Sequence, residues 1–357
     1  MPATEPAMPA HSPAPAPPLR LACDAEALTA NWRALDALSD RARAGAAVKA
    51  DAYGVGARRA VPVLAAAGCA DFFVAHWQEA AELLDLVPGA AIAMLHGPLT
   101  AAEAHWARST GVRPVLNSLD QVDRWLAAGG GPCHVMVDTG MKRGGLPLDA
   151  LGDARLARLA IDVLLSHLVA AEDETDLNAR QLARWQAARQ RLPHARASLA
   201  NSAGIMLGPD YHGNLTRPGL SLYGGVPCTA LAPHIRQGVR PEAAILQVRD
   251  VAAGETVGYN ATFTATAAMR IGVIALGYAD GFLRCWSGKG TARAPDGEAL
   301  PVLGRVSMDM TAIDLGRAPG LREGDWVSLD YALPEAAALT GLSQYELLTL
   351  AGRRFTR

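Results

Sequence analysis

Only three lysines occur in the 357 residues, Lys49, Lys142 and Lys289, so chemistry that needs a lysine amine has few candidates. Lys49 is the best placed of them. It ends the apolar run Ala46-Ala47-Val48, and the end of a buried strand is where barrel enzymes place catalytic groups. Desolvation there lowers an ammonium pKa and frees the amine to condense with a carbonyl. The same placement suits a lysine that merely marks a strand end, and position alone does not separate the two. Other polar groups gather in short blocks: Asp138-Thr139-Gly140-Met141-Lys142-Arg143, Ser166-His167, Ala200-Asn201-Ser202, Arg217-Pro218-Gly219-Leu220 and Val257-Gly258-Tyr259. Singly, each has an ordinary reading. His167 could be a satisfied core histidine, Ser202 a helix N-cap, and Arg217 a surface arginine before a Pro-Gly turn.

These residues need elements to hold them. Short apolar strands are expected over 46–49, 71–75, 91–95, 112–116, 134–138, 162–166, 197–200 and 214–217. Stretches with helical periodicity over 77–86, 119–128 and 178–192 lie between them. Eight strands alternating with helices predict an α/β fold, a (β/α)8 TIM-like barrel rather than an open sheet. After residue 230 the texture changes to strands over 243–251, 270–276, 300–306 and 326–330, separated by Gly, Pro and Asp turns. A closing helix is expected near 343–352. The expected organisation is therefore a Pro/Ala-rich tail over 1–18, a barrel over 19–230, and a smaller, mostly β domain over 231–357.

The block Val48-Lys49-Ala50-Asp51-Ala52-Tyr53-Gly54 closely resembles the cofactor-lysine signature of the alanine racemases. The blocks above continue the resemblance in order. So do Ser221-Leu222-Tyr223-Gly224, Gly277-Tyr278-Ala279-Asp280-Gly281, Gly304-Arg305-Val306-Ser307-Met308-Asp309 and Tyr345-Glu346. Matches run from Leu19 almost to the C-terminus.

The resemblance implies a pyridoxal 5'-phosphate enzyme that interconverts L- and D-alanine. An α-proton is too weak an acid for a side-chain base acting alone, so the cofactor must delocalise the charge. Two bases are then needed, one on each face of the α-carbon. The resemblance implies Lys49 for one face and Tyr259 for the other, with Tyr259 coming from a neighbouring subunit, so that the site is complete only in a homodimer. It also implies that His167 and Arg217 link the vicinity of Tyr259 to the pyridine nitrogen. An arginine there stays protonated, which leaves the ring a weaker electron sink and favours quick proton return. Ser202, the Gly219–Leu220 backbone, Tyr53, Asn201 and Tyr345 are the implied cofactor and phosphate contacts. Arg143 and the backbone of Met308 are the implied holders of the substrate carboxylate. Tyr278, Arg284, Arg305 and Asp309 would line the entrance.

The chain departs from the family pattern twice. Many members carry a carbamylated lysine two residues before the Asp-Thr-Gly-Met block, where this chain has Met136. Methionine cannot be carbamylated, so no such modification is expected and Arg143 needs another counter-charge. Ser343 stands where the family usually offers a bulky aliphatic, which suggests a wider entry and some turnover of serine.

Composition narrows the rest. A formal charge of −2 argues against a nucleic-acid or anionic-membrane partner. Cys23, Cys69, Cys133, Cys228 and Cys285 are scattered, without metal or redox spacing. No apolar run is long enough to span a membrane, and no signal peptide precedes the barrel pattern. A cytoplasmic enzyme supplying D-alanine for peptidoglycan is the expectation. A racemase of the same fold with broader amino-acid specificity is the nearest alternative, and two further rivals fit less well. A decarboxylase of the same architecture needs a stronger electron sink than Arg217 allows, and a non-catalytic pyridoxal-phosphate carrier has no use for the second domain.

Overall fold

A computed structural model describes residues 15–352 and 354–355. Of the tail expected over 1–18, residues 1–14 lie outside the described residues. Residues 15–18 are exposed, without helix or strand.

Each expected barrel strand is present; most are shorter than their apolar runs, while the fifth and sixth begin two residues earlier than expected. Ala46–Ala47, Phe72–Val74, Ile92–Met94, Arg113–Leu116, Pro132–Met136, Ala160–Leu165 and Arg196–Ser198 form a seven-stranded parallel sheet in sequence order. The eighth segment, Leu215–Thr216, pairs in parallel with Arg43–Ala44, just ahead of the first strand. Arg43 N, Gly45 N and Ala47 N donate to Asn214, Thr216 and Pro218 carbonyls at 3.1, 2.9 and 2.9 Å, while Arg217 N donates to Ala200 O at 2.9 Å. Those bonds close the ring as a (β/α)8 barrel.

The outer helices follow their apolar spacing. Helix Asp176–Arg191 buries Asn178, Gln181, Trp185 and Ala188, one stripe at helical period, and Thr175 caps it. Helix Leu119–Ala127 buries Gln121, Val122 and Trp125 behind the Ser118 cap. Asp120 and Asp176 sit in first turns, where the exposed backbone N–H groups favour negative charge. Between the fifth and sixth strands only the 3-10 turns Leu148–Gly152 and Leu156–Arg158 occur.

The second domain is a closed antiparallel barrel. Val239–Val251 is followed around the ring by Met269–Ile274, Thr311–Asp314, Ala299–Leu303, Thr291–Arg293 and Trp326–Leu329, which pairs back onto Val239–Val251. Leu19–Cys23 pairs antiparallel with the start of Val239–Val251, so the stretch just ahead of the (β/α)8 barrel belongs to the sheet of the second domain. One apolar core runs through both units, from Phe72, Phe73 and Leu222 to Ile245, Trp286 and Leu347. Trp286 stacks between Phe282 and Tyr331 with ring centroids 4.9 and 5.7 Å away.

The closing helix Gln344–Thr349 is where expected. Gln344 exchanges two hydrogen bonds with the Val226 backbone, at 2.8 and 2.9 Å, and so fixes the helix over the barrel mouth. Among the described residues no helix is long and apolar enough to cross a membrane.

Candidate active site

The strand ends deliver the polar blocks to one cavity of about 760 Å3 at the barrel mouth. Lys49, Tyr53, Arg143, His167, Asn201, Ser202, Arg217, Gly219, Leu220 and Tyr345 all line it. These residues lie as far as 296 positions apart in the chain (Lys49 to Tyr345).

Lys49 begins a backbone turn of unusual hand. Ala50, Asp51, Ala52 and Tyr53 have φ of 52, 53, 53 and 57°, a left-handed turn that L-residues adopt only at a cost. It is tied at both ends. Ala52 N donates to Val48 O at 2.8 Å and Gly54 N to Ala50 O at 2.8 Å. The Glu79 carboxylate accepts from Ala50 N at 2.6 Å, Ala75 N at 2.7 Å and His76 N at 3.1 Å. The turn aims Lys49 into the cavity and swings Tyr53 beneath the loop at Gly219.

Electrostatics there weaken the hold of the Lys49 amine on its proton. Burial lowers the Lys49 pKa, the Arg143 guanidinium and then Arg217 add to the effect, and Glu79 opposes it. His167 is held near 3 by burial and by Arg217, Arg143 and Lys49, so its imidazole is neutral. Burial lowers Arg217 to about 10, which leaves it cationic at neutral pH. Burial raises Tyr53 to about 12, so its hydroxyl stays a donor. Tyr345 is raised too, first by burial and then by Glu172, to whose carboxylate its hydroxyl donates at 2.9 Å.

Arg217 crosses the mouth beneath the cavity. It donates to Ser198 Oγ, to Ser166 O at 2.5 Å and to Leu199 O at 3.3 Å, and among the described residues it pairs with no carboxylate. Thr139 Oγ1 lies 2.8 Å from Ser166 Oγ, and Gln181 Nε2 donates both to Thr139 Oγ1 and to the His167 carbonyl, at 3.1 and 2.9 Å. Gln181 thereby ties His167 to the outer helix. Sequence reasoning missed Gln181, Glu79 and Glu172. For Gln181 there was a signal, an amide on an otherwise core-facing helical stripe. Glu79 carried only the signal of an ordinary helix-capping acid, through Ala75 N and His76 N, and nothing pointed to its third partner, Ala50 N.

The loop after the last strand fits a phosphate. Gly219 N and Ser221 N converge on Ser202 Oγ, at 3.1 and 3.4 Å, and the Ser221 hydroxyl is buried with no partner among the described residues. A Cβ on Gly219 would stand 2.2 Å from the Tyr53 hydroxyl oxygen, so only glycine lets that hydroxyl reach the loop. Arg143 and Arg217, which make no ion pair among the described residues, an amine of lowered pKa and this cradle together suit pyridoxal phosphate and a substrate carboxylate.

Other expected site residues stand elsewhere. Tyr259 and Met308 do not line the cavity; both are on the β domain, 61 and 52% exposed. The Arg284 guanidinium lies over the Tyr278 ring at 5.3 Å, and Asp309 pairs with Arg354. Neither Tyr278, Arg284, Arg305 nor Asp309 lines the cavity. Met136 does, and Arg143 makes no ion pair among the described residues, while Lys142 pairs with Asp138 at 3.6 Å. Ser343 does not face the cavity: its hydroxyl and backbone N–H both engage Glu346 as a helix cap.

With this geometry in view, the relatives are informative. Residues 23–227 match the family model "Alanine racemase, N-terminal domain" and 239–357 match "Alanine racemase, C-terminal domain". The alanine racemase of Acidiphilium cryptum is 43% identical over 350 residues, covering 94% of this chain and 97% of that protein. That of Rhodospirillum rubrum is 44% identical over 359 residues, covering 94% of each. Among solved structures, alanine racemase from Bartonella henselae with covalently bound pyridoxal phosphate superposes with a TM-score of 0.86 at 35% identity, covering 96% of this chain and 99% of that one.

Proposed function

The chain belongs to the alanine racemase family, and on that premise we propose that Lys49 and Tyr259 interconvert L- and D-alanine as bases on opposite faces of the α-carbon. It is a pyridoxal-phosphate-dependent isomerase. The observation that carries the residue roles is the convergence of Lys49, His167, Arg217 and the Ser202–Gly219 cradle on one cavity whose two arginines, Arg143 and Arg217, make no ion pair among the described residues.

Lys49 would hold pyridoxal phosphate until the substrate amine replaces it, and the bound group would then supply an electron sink for the charge left at the α-carbon. The protein's own groups do the rest. Lys49, its pKa lowered chiefly by burial, takes or returns the α-proton on its face. Gly219 N, Ser202 and the Tyr53 and Tyr345 hydroxyls hold the phosphate, and Asn201 and Leu220 wall it in. Arg217, fixed by Ser198, Ser166 and Leu199 and permanently cationic, donates at the pyridine nitrogen without giving up a proton. Neutral His167 stands beside it. Arg143, free of ion pairs, takes the substrate carboxylate through its planar fork.

Tyr259 and Met308 lie outside the cavity of their own chain and are exposed. We assign them to the cavity of a second copy, with the protein a homodimer holding two shared sites. Its product, D-alanine, serves peptidoglycan synthesis in the cytoplasm.

The test is the circular dichroism of L- and D-alanine incubated with the loaded enzyme. The signal decays to zero from either side, is flat in Lys49→Ala, and in Tyr259→Phe is slowed equally from both sides, as an equilibrium constant of one requires, while one enantiomer alone still exchanges its α-hydrogen with D2O through Lys49. Loss of that exchange from both enantiomers alike in Tyr259→Phe would remove the two-base assignment.

A further inference from the structure

Two loops of the β domain, 276–281 and 305–311, are laced together. Tyr278 N donates to Ser307 O at 3.0 Å, Ala279 N to Met308 O at 3.0 Å and Ser307 N to Met310 O at 3.0 Å. Thr311 Oγ1 donates to Leu276 O at 2.6 Å. A Cβ on Gly277 would stand 2.3 Å from Met308 O, so the loops could not close this far around any other residue. The lacing leaves the Met308 N–H without a partner among the described residues.

The end of the chain straps this pair of loops. Arg354 Nε lies 2.7 Å from Asp280 Oδ1, and Nη1 lies 2.6 Å from Asp309 Oδ1. The Asp280 side chain is 1% exposed and that of Asp309 52%. Gly352 N donates to Asp280 O at 3.2 Å. Phe355, buried, fills an apolar recess with Leu21, Phe282, Tyr331 and Leu348. Among the described residues no other cation pairs with either aspartate. Burial is the largest penalty on the Asp280 carboxylate, whose pKa stays raised, and repulsion by Asp309 adds to it; the Gly277 N–H and Arg354 oppose them.

We infer that Arg354 is a positioning residue, bridging Asp280 to Asp309 and so fixing the Met308 N–H where a substrate carboxylate can accept from it. The inference rests on the proposed function, in which Met308 serves the site of a second copy. Without the bridge, Asp309 is repelled by a buried like charge. The backbone of its neighbour Met308 then loses its fixed direction, while Lys49 and Tyr259 are untouched. Arg354 thus acts on carboxylate binding rather than on proton transfer.

The experiment is steady-state racemisation of L-alanine by holoenzyme carrying Arg354→Ala, Arg354→Lys or Asp309→Asn, with amide hydrogen exchange on the same preparations. A misdirected hydrogen bond to a carboxylate raises KM in Arg354→Ala by roughly tenfold, with kcat changed by less than about twofold. Arg354→Lys recovers part of the loss. Asp309→Asn, which leaves the buried pair intact, raises KM less, and adding it to Arg354→Ala brings no further rise. Exchange quickens in the 305–311 segment ahead of the rest of the domain. An unchanged KM in Arg354→Ala, or kcat and KM effects that merely track a global loss of protection, would overturn the positioning role. Absence of alanine turnover in the unsubstituted holoenzyme would instead overturn the proposed function, and this inference with it.

Discussion

Replacing Glu79 by glutamine tests how the left-handed turn after Lys49 is held. Residues 50–53 are all non-glycine and all left-handed, a conformation that costs about 1–2 kcal/mol each. The turn's own backbone bonds offset part of this, and the Glu79 carboxylate accepts three further N–H groups at 2.6, 2.7 and 3.1 Å. Hydrogen bonds to a charged group contribute about 1.5–3 kcal/mol each, less where water reaches them. Glutamine keeps one acceptor oxygen and turns an NH2 toward N–H donors, so at least one bond is lost. The expected destabilisation is about 2–3 kcal/mol, a thermal midpoint lower by on the order of 5 °C. A second readout follows from charge. Glu79 favours the protonated form of Lys49, so its removal moves the acidic edge of reductive pyridoxal-phosphate trapping on Lys49 to lower pH. A variant that melts with the wild type and traps cofactor on the same pH edge would refute the role given to Glu79.

Other consequences are as direct. In Gly219→Ala the new Cβ meets the Tyr53 hydroxyl at 2.2 Å; overpacking of about 1–3 kcal/mol raises the pyridoxal-phosphate Kd roughly ten- to hundredfold, read by fluorescence titration. His134, in the fifth barrel strand, is buried and its pKa is lowered to about 4. The folded protein therefore resists a proton that the unfolded chain accepts below about pH 6.5. Stability from this group is intact above pH 6.5 and falls by about 3 kcal/mol as pH drops to 4. His134→Gln, whose amide oxygen can still accept from Val163 N, flattens that acid limb in urea unfolding; His167, held near 3, leaves a residual slope of the same sign.

The barrel was legible because short apolar runs alternate with stretches of period 3.6 from residue 46 to 217, and each expected strand and helix overlaps an observed one. Strand ends were not. The first strand stops at Ala47 because Val48 leaves the extended region and Lys49 enters the left-handed turn, and nothing in Ala-Asp-Ala-Tyr announces that hand. The pairing of Leu19–Cys23 with Val239–Val251 is a contact across more than two hundred residues, beyond the reach of local pattern. Helix Leu333–Thr340 was missed because its Ala-rich sequence carries little amphipathic contrast. The cavity residues were found through their motif blocks, whereas Glu79, Glu172 and Gln181 act through backbone or neighbouring side chains and bear no motif.

The central claim is that each site joins Lys49 of one copy to Tyr259 of another. Lys49→Ala and Tyr259→Ala proteins, each inert alone, should regain activity when mixed under conditions that exchange subunits. Half the dimers are then mixed and half of their sites intact, so about a quarter of wild-type activity returns in a two-fold assembly. A mixture that exchanges subunits yet stays inert would contradict the shared site.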